Sequence, residues 1–472
     1  MNLDPDTCYQ TLLSRDRRFD GWFFVAVSWT GVYCRVVCPV RPPKRKNCQF
    51  FVTTAAAEKA GFRPCLRCRP ELAPGNGLLD ASSHLARAAA ALIGEGFLNT
   101  GTLTDLANRV GVTDRHLRRI FAADYGVSML EFAQTQRLLM AKRLLTDTTL
   151  PVTTVALAAG FGSVRRFNDL FLKRYGLNPL RLRKTASNDR SDHMTFRLGY
   201  RPPFSWSGAL AFLAFRQIEG GERIASDVYY RAVEFERAGV KTASWVSVKH
   251  IAARHSIEVT VPMILAPFVS QVLDRISRIF DLNARPDLID LQLGELAAGM
   301  PGMRVPGAFD GFEIAVRAIV GQQISVANAR VVLSRIGERF GTEIAGAPEG
   351  LSRTFPSAAT LAGLPVSSLT GIGITTIRAE AIIAVAREVA SGRITLQPMA
   401  PLAETLATDS RYRRMDRAIH RDARACVAQC FPRWRRRSET ASRLFERFGV
   451  ETARRALGTV ARVCHASCVA AI

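Results

Sequence analysis

Tyr33-Cys34-Arg35-Val36-Val37-Cys38-Pro39 and Arg63-Pro64-Cys65-Leu66-Arg67-Cys68-Arg69-Pro70 decide how the rest of the chain is read. The pattern is C-x3-C, a gap of 26 residues, then C-x2-C. Two close-spaced thiol pairs joined by a loop suit one tetrahedral zinc, because four thiolates complete the metal's shell. Seven Lys or Arg lie between Arg35 and Arg69. Cations at that density keep thiol pKa values low and attract a polyanion. Spacing alone leaves two readings open: a structural knuckle with four inert thiolates, or a centre in which one thiolate reacts.

Working outward, 472 residues leave room for three or four domains. A net charge of +23 points to nucleic acid or another polyanion. The N-terminus, Met1-Asn2-Leu3-Asp4-Pro5-Asp6, carries no apolar signal core. No uncharged apolar run approaches the ~20 residues that a membrane span needs. Ten cysteines, four of them assigned to a metal, suit a reducing cytosol better than a disulfide scaffold. Cys8 and Cys48 read as ordinary free thiols.

Around the cysteines stand Asp20-Gly21-Trp22-Phe23-Phe24-Val25-Ala26-Val27, Thr30-Gly31-Val32-Tyr33-Cys34-Arg35, Cys38-Pro39-Val40-Arg41-Pro42-Pro43 and Ala60-Gly61-Phe62-Arg63-Pro64-Cys65. Over about residues 5 to 75 these strings closely resemble the N-terminal domain of the Ada family, which reads alkylation damage in bacteria. The resemblance implies a small zinc-binding α/β domain holding Zn2+ on Cys34, Cys38, Cys65 and Cys68. It implies that Cys34 is also the methyl acceptor, its zinc-bound thiolate attacking the methyl of a DNA methylphosphotriester. Transfer would be single-turnover, since a thioether does not revert. Family DNA contacts carry over to Thr30, Arg41 and Arg63.

Glu71-Leu72-Ala73-Pro74-Gly75-Asn76-Gly77 is rich in turn formers and reads as a linker. Helical periodicity follows. Leu103, Leu106, Ala107 and Val110 form one stripe that Gly111 stops, and Thr113 is the expected N-cap of the next helix. Arg115, His116, Arg118 and Arg119 lie on that helix's polar side, in helix-turn-helix order. A second copy runs from Val152 through Gly160-Phe161 to Lys173, with Arg165 and Arg166 at the corresponding place. The alternative is a packed helical bundle with a solvated basic face. The strings Ala158-Ala159-Gly160-Phe161 and Phe171-Leu172-Lys173-Arg174-Tyr175-Gly176-Leu177-Asn178-Pro179 resemble the AraC-type DNA-binding domain over residues 83 to 184.

From Met194 the pattern changes. Residues 194–200, 228–233 and 255–261 alternate like strands, and helices are expected near 207–217 and 263–280, an α+β arrangement. Arg317-Ala318-Ile319-Val320-Gly321-Gln322-Gln323-Ile324-Ser325-Val326, with Gly302-Met303-Arg304-Val305-Pro306-Gly307, resembles the AlkA family of 3-methyladenine DNA glycosylases over residues 194 to about 408. The resemblance implies that Gln322 and Gln323 sit on the loop that enters the DNA stack, Gln323 as the wedge, while the damaged base flips out. Phe212 matches a pocket aromatic that would stack on an alkylated base; the alternative is an ordinary core ring.

After Asp409 the family's helix-hairpin-helix and catalytic Gly-Asp segment do not occur. Residues 409–472 instead hold 15 Arg, no Lys and four Cys. Shifted by one nucleotide, codons allowed for Asp409 to Ala423 can spell Ile-Pro-Gly-Ile-Gly-Gly-Trp-Thr, and those for Gln429 to Arg436 can spell Asn-Ala-Phe-Pro-Ala-Gly-Asp. A reading-frame slip near codon 408 accounts for both. The rival reading makes Cys426, Cys430, Cys464 and Cys468 a second zinc site, with His420 or His465.

The expected fold class is multidomain α+β. It comprises the zinc domain (1–75), an all-α double helix-turn-helix domain (80–185), an AlkA-like α+β domain (193–283), a truncated all-α helix-hairpin-helix glycosylase domain (284–408) and an aberrant tail (409–472). The expected function is an alkylation-damage response: methyl transfer to Cys34, transcription regulation, and glycosylase-type base excision that this chain has lost. The alternative is a regulator and methyl acceptor with a non-catalytic glycosylase remnant. Expected partners are double-stranded DNA, both alkylated and promoter, and RNA polymerase, with the chain monomeric, off the membrane and at the nucleoid of the bacterial cytoplasm.

Overall fold

Two faces of one short strand explain the first domain. In the computed structural model, β1 (Phe24–Val27) is buried along its whole length. Phe24 and Ala26 join a cluster with Tyr33 and Ala57, while Val25 joins Cys8, Leu12, Phe23, Val36 and Cys48. Side chains alternate across a strand, so a strand apolar at every position is covered on both sides. Helices α1 (Pro5–Ser14) and α2 (Thr54–Lys59) belong to these two clusters. The sheet runs β3-β1-β2-β4, with β2 at Val32–Arg35, β3 at Cys48–Phe51 and β4 at Arg63–Pro64. β1 pairs antiparallel with β2, placing Val25 opposite Cys34, and β4 runs parallel to β2. The structure describes residues 4–75, 84–182, 192–237, 239–322, 324–394 and 396.

Beyond the zinc domain come α3 (His84–Gly94), α4 (Leu103–Val110), α5 (Asp114–Tyr125), α6 (Met129–Asp147), α7 (Val152–Ala158), α8 (Val164–Tyr175) and α9 (Pro179–Leu182). Local chemistry sets their ends. Thr102 and Asp105 close a capping box on α4, and Ser128 and Glu131 do the same on α6. Thr113 caps α5 and Ser163 caps α8, each oxygen accepting an N–H two or three residues into its helix. Gly111 ends α4 at φ 81°, a left-handed conformation that costs a side-chain-bearing residue energy. The α4–α5 and α7–α8 pairs are therefore two copies of one unit. Phe121 in the first and Phe171 in the second are both fully buried, each against a tyrosine one turn on, Tyr125 and Tyr175.

The remaining strands form a sheet in the order β5-β9-β8-β7-β6: β5 (His193–Gly199), β6 (Glu222–Ala225), β7 (Val228–Arg237), β8 (Val240–Ile251) and β9 (Ser256–Pro262). The chain divides into two compact units. The first contains residues up to 204, 246–277 and 282–287, hence the zinc domain, α3–α9, β5, β9 and the second half of β8. The second contains 205–245, 278–281 and the described residues from 288 on, hence β6, β7 and the start of β8. Its helices include α10 (Trp206–Arg216) and, after α11 (Val269–Ile279) and α12 (Pro286–Leu293), α13 (Gly311–Gly321), α14 (Val326–Phe340), α15 (Ala358–Ala362), α16 (Val366–Thr370) and α17 (Thr376–Ala390). Val316, Ile319, Leu333, Ile336, Ile382 and Ala386 make its helical core.

One expected helix breaks. Residues 263–268 form a 3-10 turn that contains Pro267, and the α-helix begins only at Val269. Proline has no N–H to give and clashes with the preceding turn.

The supposed linker also differs from expectation at its start. Glu71 is buried in an ion pair, and residues 74–75 are clamped. A Cβ at Gly21 would lie 1.9 Å from the Pro74 carbonyl oxygen, and Gly21 has φ +80°, so glycine is required where the chain crosses it. Arg201 then donates to the Gly75 carbonyl at 2.9 Å, and the Gly75 N–H donates to Asn283 at 2.8 Å.

Candidate metal centre and nucleic-acid interface

Backbone pairing brings the two cysteine pairs together. Cys34 ends on β2, and the Cys38 N–H turns back to the Arg35 carbonyl at 3.2 Å. Cys65 directly follows β4, its N–H donating to the Tyr33 carbonyl at 3.0 Å. As a result the four sulfurs of Cys34, Cys38, Cys65 and Cys68 lie within 4.8 Å of one another. Among the described residues this is the one group of metal-ligand side chains of that kind. Four sulfurs this close cannot all carry a negative charge unaided, because like charges repel. A divalent cation at their centre would hold all four as thiolates. An all-thiolate set at these separations fits zinc, and zinc is the cofactor.

The cluster is not symmetric towards solvent. Cys38, Cys65 and Cys68 are buried, and Cys34 is half-buried. Arg35 braces it. Its N–H donates to Cys68 Sγ at 3.4 Å, its Nη1 donates to the Cys68 carbonyl at 3.3 Å, and its Nε donates to Asp20 at 2.9 Å. Asp20, from the loop before β1, is 4% exposed. Cys8 and Cys48 are buried elsewhere, and burial raises both, Cys8 to about 11, so neither is an available thiolate at neutral pH.

Around this centre Thr30 and Arg41 are exposed and Arg63 is half-buried. Thr30 sits on the β1–β2 hairpin and Arg63 on β4, tied together where the Arg63 N–H donates to the Gly31 carbonyl at 2.9 Å. Trp29, next to Thr30, is 73% exposed. In the helix-turn-helix pairs, Arg115, Arg118, Arg119, Arg165 and Arg166 are exposed, and His116 is half-buried. Arg118 is held by Asp114 at 2.9 Å, and Arg119 lies 3.4 Å from the His116 ring.

A carboxyl group missed from the sequence meets Tyr33, the residue before Cys34. Glu58 of α2 is 1% exposed. It accepts from Tyr33 at 3.1 Å, Thr135 of α6 at 2.9 Å and Tyr175 of α8 at 3.5 Å. Burial pushes its pKa up to about 7, against those hydroxyl donors, which lower it.

In the second unit four charges interlock, those of Glu222, Arg231 and Glu313 buried and that of Arg317 half-buried. Arg231 of β7 pairs with Glu222 of β6 at 2.6 Å and with Glu313 of α13. Arg317 of α13 returns to Glu222 at 2.7 Å and to Glu313 at 2.6 Å. This knot fixes α13, whose C-cap is Gln322. Gln322 is half-buried, and its carbonyl accepts from Arg378 of α17. Gln323 lies outside the described residues. Phe212, on α10, is half-buried, with the Arg216 guanidinium 3.9 Å from its ring centre. Residues 409–472, with Cys426, Cys430, Cys464 and Cys468 and the proposed frame slip, also lie outside the described residues.

Three family models match the chain: the metal binding domain of Ada at residues 7–71, a helix-turn-helix domain at 106–185 and the AlkA N-terminal domain at 195–310. The chain is similar to a Mycobacterium tuberculosis protein named as a probable bifunctional transcriptional activator/DNA repair enzyme AlkA, 34% identical over 77% of this chain and 74% of the relative. DNA-3-methyladenine glycosylase 2 of Escherichia coli is 35% identical over 43% of this chain and 69% of its own length. The bifunctional transcriptional activator/DNA repair enzyme Ada of the same organism is 37% identical over 34% of this chain and 43% of its length. By these matches the chain belongs to the family of bifunctional transcriptional activator/DNA repair proteins that join an Ada-type zinc domain and a helix-turn-helix domain to an AlkA-type half.

Proposed function

We propose that this protein answers DNA alkylation damage by taking methyl groups from methylphosphotriesters onto Cys34 and by binding promoter DNA through α4–α8. One observation carries the first part: of four clustered thiols, Cys34 alone is not buried. Zinc bound by Cys34, Cys38, Cys65 and Cys68 would keep the sulfurs deprotonated at neutral pH. Arg35, pinned by Asp20, holds Cys68 and the end of β2 in place. The Cys34 sulfur lone pair attacks the methyl carbon. The C–O bond breaks, its electron pair stays on the phosphate oxygen, and a phosphodiester anion leaves. The product is S-methylcysteine, and no further reactant is needed.

Thr30, Arg41 and Arg63 would contact the phosphate backbone beside the lesion, while Arg115, His116, Arg118, Arg119, Arg165 and Arg166 would face promoter DNA. The second unit is a glycosylase-type region. Gln322 and Gln323 would enter the base stack and Phe212 would meet the flipped base. Base release needs a carboxylate beside the departing sugar. Residues 409–472 carry none in a Gly-Asp segment, and we place the loss of that activity there. RNA polymerase as partner and a cytoplasmic, nucleoid-bound location fit action at promoters, and the chain is proposed to act there as a monomer. Among the described residues no helix is long and apolar enough to cross a membrane.

Mass spectrometry after incubation with methylphosphotriester DNA tests the assignment. One added methyl on Cys34 is expected, with none in Cys34→Ser and full uptake in Cys8→Ser and Cys48→Ser. A methyl on any other cysteine overturns it.

A further inference from the structure

The zinc cluster takes one of its fixed points from the helix-turn-helix domain. Cys65 has both backbone polar groups engaged. Its N–H goes to the Tyr33 carbonyl at 3.0 Å, which registers it against β2 and Cys34. Its carbonyl accepts from Lys142 Nζ at 3.4 Å. Lys142 lies on α6, the helix between the two helix-turn-helix pairs, and its side chain is 1% exposed.

A lysine so deeply buried needs an anion, and Glu71 supplies one at 2.7 Å, itself 4% exposed. Glu71 is held from its other side by Arg69 at 2.9 Å, and Arg69 reaches on to Asp147 of α6 at 2.6 Å. The chain Asp147–Arg69–Glu71–Lys142 thus begins and ends on α6 and runs beside Cys65 and Cys68. Its four charges cancel in pairs.

We propose that Lys142 is a positioning residue of the methyl-acceptor centre: it fixes Cys65 through the backbone carbonyl, so that zinc affinity and the packing of α6 depend on each other. The coupling is reciprocal, because two events that share one free-energy difference shift each other equally. The zinc domain and the regulatory helix are then one thermodynamic element, and the metal centre is weaker without α6. The inference rests on the reading of Cys34 as methyl acceptor only for its effect on transfer. Its effects on zinc and on α6 stand apart from that reading.

The test uses the full chain as wild type, Lys142→Met and the double variant Glu71→Gln/Lys142→Met, which leaves no orphaned carboxylate. Competition for zinc with a chromophoric chelator should show a loss of about tenfold or more in both variants, the range typical of groups that orient metal ligands. In wild type, amide exchange across residues 129–147 should slow when zinc binds, and in both variants it should respond far less. Single-turnover transfer at saturating DNA should slow, with the DNA concentration for half-maximal rate unchanged, as expected for a group that holds the site and does not touch DNA. Zinc affinity within about twofold of wild type in the folded variants, or wild-type α6 exchange blind to zinc, overturns the proposal. If the methionine variants do not fold, Lys142→Arg, which keeps the charge beside Glu71 and alters the contact with Cys65, replaces them in the zinc competition with the same two outcomes. Wild-type zinc coupling without methyl uptake would sink the functional reading and leave this inference standing.

Discussion

Replacing Glu58 by Gln isolates the energetic role of one buried carboxyl group. Glu58 is 1% exposed, and burial raises it from 4.5 to about 7. Below pH 4.5 it is protonated in both folded and unfolded chains and costs nothing. Between 4.5 and about 7 the folded chain keeps a proton that the unfolded chain releases, so stability falls as pH rises. Above 7 the full penalty applies. At ~1.4 kcal/mol per pKa unit the loss between pH 5 and pH 8 comes to about 3 kcal/mol. Glutamine keeps the shape: its oxygen can accept from Tyr33 and Tyr175, and its amide can donate to the Thr135 hydroxyl. Glu58→Gln should therefore lack the loss. The assay is urea unfolding of both proteins at fixed zinc, followed through zinc release with a colorimetric indicator, at half-unit steps from pH 5 to pH 8. Thiol protonation affects both proteins alike and cancels in their difference. That difference should grow with pH in favour of the variant. A difference that stays flat over this range, or that moves the other way, refutes the reasoning.

Asp20→Asn should lower the unfolding free energy, followed by zinc release, by about 2 kcal/mol and slow methyl transfer, because Arg35 keeps a buried positive charge with half its partner gone; unchanged transfer and stability would count against Arg35 as a brace. Trp29→Ala should weaken DNA binding by one factor at every salt concentration, whereas Arg63→Ala should reduce the slope of log K against log salt by about 0.9; a slope change in the tryptophan variant would show an electrostatic role. The chain as written should release no 3-methyladenine from alkylated DNA above background, and a one-nucleotide correction near codon 408 should restore release; activity in the uncorrected protein, lost on changing Asp409, Asp416 or Asp422, would disprove the frame slip.

Much of this was legible in the sequence because it is local. Cysteine spacing, the Thr113 cap and the Gly111 stop depend on neighbours a few residues away, and the structure has all three. Glu58, Glu71 and Lys142 were not legible. Their partners lie more than 70 residues away in Thr135, Lys142 and Cys65, and a charged residue in an amphipathic run reads by default as solvated. Glu71 was hidden further by the Pro, Gly and Asn that follow it in sequence and look like a linker, whereas Pro74 crosses Gly21 and Gly75 meets Arg201. Strand β6 escaped for another reason. Four residues make too short a pattern to read, and the strand exists through its pairing with β7.

The shared acceptor at Glu58 also limits how this protein can be recombined. Three hydroxyls from Tyr33, Thr135 and Tyr175 converge on one carboxyl group, and they belong to β2, α6 and α8. A zinc domain grafted in from a relative with phenylalanine before its first cysteine would remove one of the three donors. A foreign helix-turn-helix domain with valine at the Thr135 position would remove another. Neither graft changes a zinc ligand or a residue facing DNA, yet each would change the proton affinity of the group they share. Chimaeras built by cutting between the zinc domain and α3 would therefore have to carry all three hydroxyls across the junction together, as a matched set.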